Sequence, residues 1–188
     1  MMAHKFSPQS IERLLSEERC NAVKPHQFLR DCGLDAGMTV ADVGCGPGFF
    51  TVPASNIVGR KGLVYAIDVQ EEMIRILKRR TRRKNIVPLL SKEHRIPLDA
   101  RTVDFALLAY VLHEAEDKLK FLKEVKRIMK KGARIVVLDW KKKREKEGPP
   151  FAERLALKDA RRLVEEAGLS VDRVSSFGSS HYIISALK

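Results

Sequence analysis

The sequence predicts an α/β fold: a mainly parallel sheet with an antiparallel hairpin at its carboxyl-terminal edge. Segments of strand character alternate with segments of helix character through the 188 residues. The last two strand segments are separated only by residues 178–181, and such a short join makes them antiparallel, because parallel strands need a crossover of about a dozen residues. The apolar segment 103–109 is typical of a parallel strand covered on both faces.

Five strands are predicted before this hairpin, each from a short run of apolar or β-branched residues. They are residues 39–43, 63–68, 86–90, 103–109 and 134–139, and the hairpin strands are residues 170–177 and 182–187.

Helices are predicted in the intervening segments from capping residues and apolar spacing. Ser7 and Pro8 favour a first helix start, and a second helix runs from Pro25 to a cap at Gly33. Pro53 should kink or displace the start of the next helix. The remaining helices are residues 49–58, 70–84, 117–130 and 158–167, the third with an apolar stripe of Leu119, Leu122, Val125 and Met129.

The composition favours one folded domain over residues 1–188. The chain is 44% hydrophobic and 32% charged, and its length lies within the roughly 100–200 residues of a typical domain. Its longest unbroken apolar run, residues 105–112, is far shorter than the roughly 18 residues of a membrane span. The amino terminus lacks the apolar stretch of a secretory signal, and the three cysteines form no CxxC pair. We therefore expect a cytoplasmic protein without a metal site.

The chain carries a formal net charge of +12, concentrated in residues 75–84 and 141–146. Such runs could contact a polyanion, since Lys and Arg displace counterions from phosphate backbones. However, no aromatic residues are interleaved to stack on unpaired bases. We therefore favour a solvated helix end and a solvated loop, with nucleic acid as the less favoured partner.

A glycine-rich turn at residues 44–48 is the strongest motif. Glycines at positions 44, 46 and 48 lie between a predicted strand and a helix, where they let a ligand approach the backbone and its amide groups. Asp68 ends the next strand about 20 residues later, where an acidic side chain can accept hydrogen bonds from both ribose hydroxyls. Together these residues predict a nucleoside cofactor.

The spacing argues against a dinucleotide. The GxGxxG fingerprint would place its third glycine at position 49, where this sequence has Phe49, and Pro47 departs from it further. Asp42, two residues before the first glycine, would repel a pyrophosphate and suits a cationic amino group better.

These motifs resemble the class I S-adenosylmethionine-dependent methyltransferases (methyltransferase domain type 11), especially the small-molecule branch of ubiquinone/menaquinone-biosynthesis-like enzymes. The resemblance covers roughly residues 25–187. It is based on residues 42–48, 65–68 with Met73, 96–97, 103–105, 111–114 and 129–132, and on the closing hairpin. It implies a Rossmann-like, seven-stranded, mostly parallel sheet with its last strand inserted antiparallel and helices on both faces, residues 34–188 forming the cofactor-binding core.

The resemblance also implies which residues bind S-adenosylmethionine and its product S-adenosylhomocysteine. The turn Gly44, Cys45, Gly46, Pro47 and Gly48 would wrap the methionine part, and Asp42 would orient its amino end. Asp68 would bind the ribose, and Val69 and Met73 would flank the adenine. Relatives often contact the adenine amino group with an Asp where this chain has Lys92, so Glu93 or a backbone carbonyl would substitute. The expected site is completed by Ser91, Ala109 and Tyr110.

Residues after the fourth strand face the transferred methyl group in this family. His113 is the candidate general base, because imidazole titrates near neutrality, and Glu114 would orient it or contact the acceptor. The alternative for His113 is that it only caps or packs the start of a loop.

Two other parts of the chain are candidates for the acceptor pocket. Residues 1–33 are expected to form helices that act as a lid, with Phe6, Leu14 and Phe28 as wall residues. Trp140 and the loop through Pro150 would form another wall. Ordinary core packing is the alternative for these apolar side chains.

Three functions are therefore considered. The first is methyl transfer to a small organic acceptor, the second is an RNA or protein methyltransferase that uses the basic surface, and the third is a non-catalytic cofactor-binding module. Residues 108–112 lack the (Asp/Asn)-Pro-Pro-aromatic motif of amino-methylating nucleic-acid enzymes, and no cysteine nucleophile of the RNA cytosine C5 enzymes is present. The sequence specifies neither the acceptor nor the oligomeric state.

Overall fold

The computed structural model describes residues 11–188 as one seven-stranded sheet with helices on both faces. The strands are β1 (Thr39–Val43), β2 (Leu63–Asp68), β3 (Ile86–Leu90), β4 (Val103–Ala109), β5 (Met129–Trp140), β6 (Ser170–Phe177) and β7 (His181–Leu187). The helices are α1 (Ile11–Leu14), α2 (Glu17–Val23), α3 (Pro25–Asp31), α4 (Thr51–Val58), α5 (Glu71–Arg80), α6 (Lys118–Ile128) and α7 (Leu157–Glu166). None of these helices is long and apolar enough to cross a bilayer.

The strand order is β3-β2-β1-β4-β5-β7-β6, and β7 is antiparallel to both of its neighbours. This confirms the predicted mixed sheet with its closing hairpin. The chain order reverses between β1 and β4, which pair in parallel. In open α/β sheets ligands bind outside the carboxyl ends of the strands at such a switch point. The ends of β1 and β4 therefore mark the place to look for a site.

Two apolar layers cover the sheet, one on each face. Residues of α3, α4 and α5 such as Leu29, Ile57 and Leu77 pack on one face, and residues of α6 and α7 such as Leu122 and Val164 pack on the other. The basic run at 75–84 follows from the amphipathic character of α5. Its apolar side is buried, while its arginines and the loop that follows lie largely at the surface.

Several element boundaries differ from the sequence prediction. Helix α6 ends at Ile128, and Met129 instead begins β5, where it is buried and pairs with Val103. Its burial in the core explains why it matched the helical stripe. Helix α5 ends at Arg80, because the backbone is extended at Thr81. Helix α4 starts at Thr51, so that Pro53 falls in the first turn, as expected for a displaced start.

The amino-terminal region contains a helix that the sequence analysis did not separate. Ser16 caps α2 by accepting a hydrogen bond from the Arg19 amide at 3.2 Å, and Lys24, in the left-handed region with φ 47°, separates α2 from α3. Local side-chain capping and one unusual dihedral thus divide the segment. The predicted helix start at Ser7 and Pro8, and the wall residue Phe6, lie outside the described residues.

Candidate functional site

The glycine turn lies at the carboxyl end of β1, anchored to β2. The amides of Gly44 and Cys45 both donate to the Ile67 carbonyl, at 2.8 and 3.0 Å. Gly48 has φ 92°, which favours glycine, and a Cβ there would lie 2.5 Å from Leu77 Cδ1, so that the Leu77 side chain would have to shift. A Cβ at Gly46 would meet no atom within 4 Å. The turn is therefore closely packed from behind and open at Gly46, where a ligand can reach the backbone.

Asp68 connects this turn to the end of β2. One of its carboxylate oxygens accepts from the Gly46 amide and the other from the Gln70 amide, each at 2.8 Å. Burial raises the pKa of Asp68 above its ordinary value, while these backbone donors oppose the rise. Each oxygen keeps a lone pair for a further donor. The carboxylate is thus held in place for a ligand hydroxyl before any ligand arrives.

The residues after Asp68 differ in their exposure. The Val69 side chain is 48% exposed and offers an apolar surface beside the carboxylate, whereas Met73 on α5 is only 2% exposed. Single apolar side chains this exposed are common, and Val69 directly follows β2 beside Asp68. The roles of Val69 and Met73 as flanks of the adenine both stay predictions.

Asp42 lies beneath the turn, near the carboxyl end of β1. It is 2% exposed, and it accepts a hydrogen bond of 2.6 Å from the Thr51 hydroxyl. Burial raises the pKa of Asp42 to about 7, against the Thr51 hydrogen bond and with help from the negative charge of Asp68. Asp42 is therefore poised to ionise near neutral pH, where a cation beside it would favour the charged form. Thr51 was not predicted, although it lies in the first turn of α4.

Two other residues of the turn, Cys45 and Pro47, have structural roles. Burial raises the pKa of the Cys45 thiol well above its ordinary value, so the thiolate nucleophile is disfavoured. The Pro47 carbonyl accepts from the Arg80 guanidinium, which holds the turn against α5.

The segment expected to bind adenine starts at the end of β3. The Ser91 amide donates to the Asp68 carbonyl at 2.9 Å, so Ser91 lies beside the ribose-binding candidate. Lys92 is exposed and pairs with Arg95 in a single β-bridge. The Glu93 carboxylate accepts from the amides of Glu116 and Asp117 at 2.9 and 3.3 Å, ahead of α6. Glu93 is therefore already engaged in holding that loop.

His113 lies on a 3-10 turn after β4 and is paired with an acid that the sequence analysis missed. Its Nδ1 is 2.7 Å from an Asp139 carboxylate oxygen, and its backbone amide donates to the other oxygen at 3.1 Å. Asp139 is fully buried and follows Leu138, which pairs with Ala109 at the end of β4. An acid at the carboxyl end of an apolar strand was the available signal.

The electrostatics of this pair favour a proton on the imidazole. Burial lowers the pKa of His113, but the hydrogen bond and charge of Asp139, together with Glu114, outweigh it and leave the pKa raised. His113 Nε2 is 3.8 Å from a Glu114 carboxylate oxygen, and burial raises the pKa of Glu114 to about 7. With Asp139 on Nδ1, Nε2 is the nitrogen left to exchange a proton with a ligand.

Aromatic rings lie at the carboxyl ends of β4 and β5. Tyr110 has φ 62°, in the left-handed region, and its amide donates to the Leu138 carbonyl at 2.7 Å. Its ring centroid lies 5.8 Å from that of Trp140 and 5.2 Å from that of His181. Trp140 and His181 also line an open cleft of about 390 Å³, together with Ser180 and residues 145–147. These rings form a surface on which a planar molecule can stack.

The loop after β5 is organised around a buried arginine that was not predicted. Arg154 is 2% exposed and donates to the carbonyls of Lys143 and Pro149 and to the Glu145 carboxylate at 2.6 Å. Its guanidinium lies 5.1 Å from the Trp140 ring centroid. The loop through Pro150 is therefore folded against Trp140, where the sequence analysis placed a wall.

Of the amino-terminal wall candidates, the structure describes two. Phe28 is buried and packs on Phe50 and Phe177 at ring distances of 5.5 and 5.3 Å, so it belongs to the core beneath the helices. Leu14 is half-buried at the end of α1. The core alternative is therefore the better description of Phe28.

Comparisons with known proteins identify similar chains. A family model described as a methyltransferase domain matches residues 41–137. The demethylmenaquinone methyltransferase of Staphylococcus aureus (strain MRSA252) is 32% identical over 114 residues, which are 60% of this chain and 47% of that protein. The chain thus spans about half the length of the curated relatives it matches.

Solved structures match over more of the chain. A SAM dependent methyltransferase from Aquifex aeolicus superposes with a TM-score of 0.92 and 40% identity, covering 97% of this chain and 99% of that one. The [4+2]-cyclase SpnF superposes with a TM-score of 0.79 at 15% identity, covering 92% and 83%, and this likeness shows the fold alone. A shared fold does not fix the reaction, so the activity has to be argued from the site.

Proposed function

Because the chain belongs to the methyltransferase domain family, we propose that it transfers the methyl group of S-adenosylmethionine to a small organic acceptor and releases S-adenosylhomocysteine. The observation that carries this proposal is the open backbone at Gly46, held directly by the Asp68 carboxylate. Asp68 would accept from the ribose hydroxyls, and exposed Val69 would lie against the adenine.

The methionine part of the cofactor fits the other side of the turn. Its ammonium group needs an acceptor, and Asp42 supplies a buried carboxyl group below the turn. The turn itself leaves room for the chain that joins ammonium and sulfur. The residues present therefore match the two ends of the molecule, an adenosine and a zwitterionic amino acid.

When bound, the cofactor supplies an electrophilic methyl group, so the protein has mainly to orient the acceptor and exclude water. His113 Nε2 would take the proton of an acceptor hydroxyl. Asp139 would hold the imidazole in the required tautomer and stabilise the imidazolium formed. Glu114, 3.8 Å from Nε2, would stabilise the same charge.

The acceptor we propose is a planar ring compound that carries a hydroxyl group. The rings of Tyr110, Trp140 and His181 offer stacking surfaces at the carboxyl ends of β4 and β5. The name of the Staphylococcus aureus relative, demethylmenaquinone methyltransferase, agrees with a ring substrate of this kind.

Calorimetry followed by product analysis tests the proposal. We expect the purified chain to bind both S-adenosylmethionine and S-adenosylhomocysteine, and to form S-adenosylhomocysteine when a panel of reduced quinols and catechols is added. If neither S-adenosylmethionine nor S-adenosylhomocysteine gave a heat of binding, the proposal would be refuted. Binding without product across a panel that also includes RNA and protein acceptors would instead indicate a cofactor-binding module.

The ionisation of Asp42 predicts a pH dependence of binding. Since burial places the pKa of Asp42 at about 7 and an ammonium group favours its charged form, affinity for S-adenosylhomocysteine should rise with pH through this value. Between about pH 5.5 and pH 7.5 we expect a gain of roughly 25-fold, because each unit below the pKa reduces the ionised fraction up to about tenfold. Titration calorimetry at several pH values measures it.

Asp42→Asn is the matched control, since it keeps the shape and the Thr51 contact but cannot ionise. Its affinity should be low and nearly flat with pH. An unchanged slope in this variant would assign the pH dependence to another group, such as Glu114.

A further inference from the structure

Arg19 on α2 occupies a position that the proposed roles above leave unexplained. Its guanidinium carbon lies 4.3 Å from the ring centroid of Phe49 and 5.2 Å from that of Tyr110. Phe49 directly follows the glycine turn, and Tyr110 directly follows β4. Arg19 therefore lies at the switch point, above the adjacent carboxyl ends of β1 and β4.

The charge of Arg19 is poorly compensated. Burial lowers the pKa of its guanidinium, an effect that nearby Tyr110 partly opposes. Its Nη1 donates to the Leu14 carbonyl at 2.9 Å, and among residues 11–188 no carboxylate forms an ion pair with it. Removing a guanidinium from water without an anionic partner is unfavourable.

Arg19 is half-buried, and the fully buried Arg154 shows how a guanidinium is compensated elsewhere in this fold. Arg154 donates to several loop carbonyls and forms an ion pair of 2.6 Å with Glu145. Arg80, the cation behind the turn, is occupied by the Pro47 carbonyl. At the open side of the turn, within the described part of the chain, Arg19 is thus the guanidinium that still lacks an anion.

We propose that Arg19 binds the α-carboxylate of the methionine part of the cofactor, so that α2 completes the cofactor site. This inference rests on the proposed function. The amino acid end of the cofactor carries one cation and one anion. Asp42 lies where the ammonium group is expected, and Arg19 supplies a planar pair of donors that matches a carboxylate. Packing between Phe49 and Tyr110 holds that fork in place before binding.

The inference changes the role expected for the amino-terminal helices. The sequence analysis assigned residues 1–33 to a lid over the acceptor. With Arg19 on the carboxylate, α2 covers the cofactor instead of the acceptor.

A double-mutant cycle tests Arg19 by removing each partner separately. The two ligands are S-adenosylhomocysteine and its decarboxylated analogue, which keeps the amine and the adenosine. The two proteins are the wild type and Arg19→Gln, and calorimetry measures all four affinities. We expect Arg19→Gln to bind S-adenosylhomocysteine roughly 10- to 100-fold more weakly, as for a lost charged hydrogen-bonded pair. Its affinity for the decarboxylated analogue should stay within about threefold of the wild type.

Arg13→Gln is the control variant, because Arg13 is an exposed arginine on the neighbouring α1 whose partner is Glu147 at 3.6 Å. It should bind both ligands like the wild type, and far-UV circular dichroism melts should confirm that both variants fold. Arg19→Lys keeps the positive charge without the planar pair of donors, and it should recover part of the affinity for S-adenosylhomocysteine.

Two results would overturn the inference alone: equal weakening of both ligands by Arg19→Gln, which indicates a packing role, or no weakening of either. If the folded wild type bound neither ligand, the proposed function would fail together with it.

Discussion

Asp68→Ala is expected to weaken binding of S-adenosylhomocysteine by about 100-fold or more. The variant removes the acceptor proposed for two ribose hydroxyls, and charged hydrogen bonds contribute about 1.5–3 kcal/mol each. It also removes the hydrogen-bond acceptor of the Gly46 and Gln70 amides, so the turn is no longer held in its ligand-binding conformation. Both losses act in the same direction, and calorimetry measures their sum.

Asp104→Asn offers a control near the amino end of β4, away from the carboxyl ends that form the site. Asp104 also accepts from a backbone amide, that of Thr39 at 2.9 Å, and pairs with Lys130 at 2.7 Å. It therefore tests the loss of a carboxylate that supports the backbone away from the site. We expect this variant to lose some thermal stability but to keep its affinity. If Asp68→Ala bound S-adenosylhomocysteine within about fivefold of the wild-type affinity, the proposal that Asp68 binds the ribose would be contradicted.

His113→Ala should lower turnover by about 100-fold or more while leaving cofactor affinity nearly unchanged, because general base catalysis typically contributes about 10²–10⁴-fold. Asp139→Asn should also lower turnover, since the amide no longer fixes the imidazole tautomer through its 2.7 Å contact. Steady-state rates with a ring acceptor, combined with calorimetry for the cofactor, separate the two effects. If His113→Ala turned over as fast as the wild type at saturating substrates, His113 would have a packing role only.

The protonation of His113 gives a second measurement that needs no acceptor. In the wild type its pKa is raised because Asp139 and Glu114 outweigh burial. In Asp139→Asn burial is less opposed, so the pKa of His113 should fall, and NMR of its imidazole ring protons measures the change. A raised folded-state pKa stabilises the protein fully below the unfolded pKa of about 6.5, and this contribution disappears as pH rises through the folded value. Asp139→Asn should therefore lose stability mainly at low pH.

The sheet could be predicted because its strands depend on local patterns. Short apolar runs identified all seven strands, and the tight join near Gly178 fixed the orientation of the last two. Met129 was misassigned because an apolar residue next to a helix matches both periodicities, and its pairing with Val103 is a long-range choice. Local chemistry thus predicted the elements better than their ends.

The glycine turn and Asp68 were also accessible to sequence reasoning, since their chemistry depends on spacing along the chain. Asp139 could be noticed only as an acid at the end of an apolar strand, and Arg19 and Arg154 gave no such signal, because each of the three acquires its role from a partner distant in sequence or from burial. Asp139 meets His113 only through the register of β4 and β5. In the sequence Arg154 is one basic residue among many, and only its hydrogen bonds to the folded loop distinguish it. Charge counts cannot separate such arginines from solvated ones.

The position of β7 has a consequence for the way the chain acquires its structure. Because β7 pairs with β5 on one side and β6 on the other, β6 reaches the sheet only by way of β7. During synthesis the edge of β5 is therefore unpaired until the hairpin has emerged from the ribosome, and an unpaired edge can recruit other chains. Pairing of the hairpin with β5 places His181 beside Trp140. The aromatic wall therefore depends on that pairing.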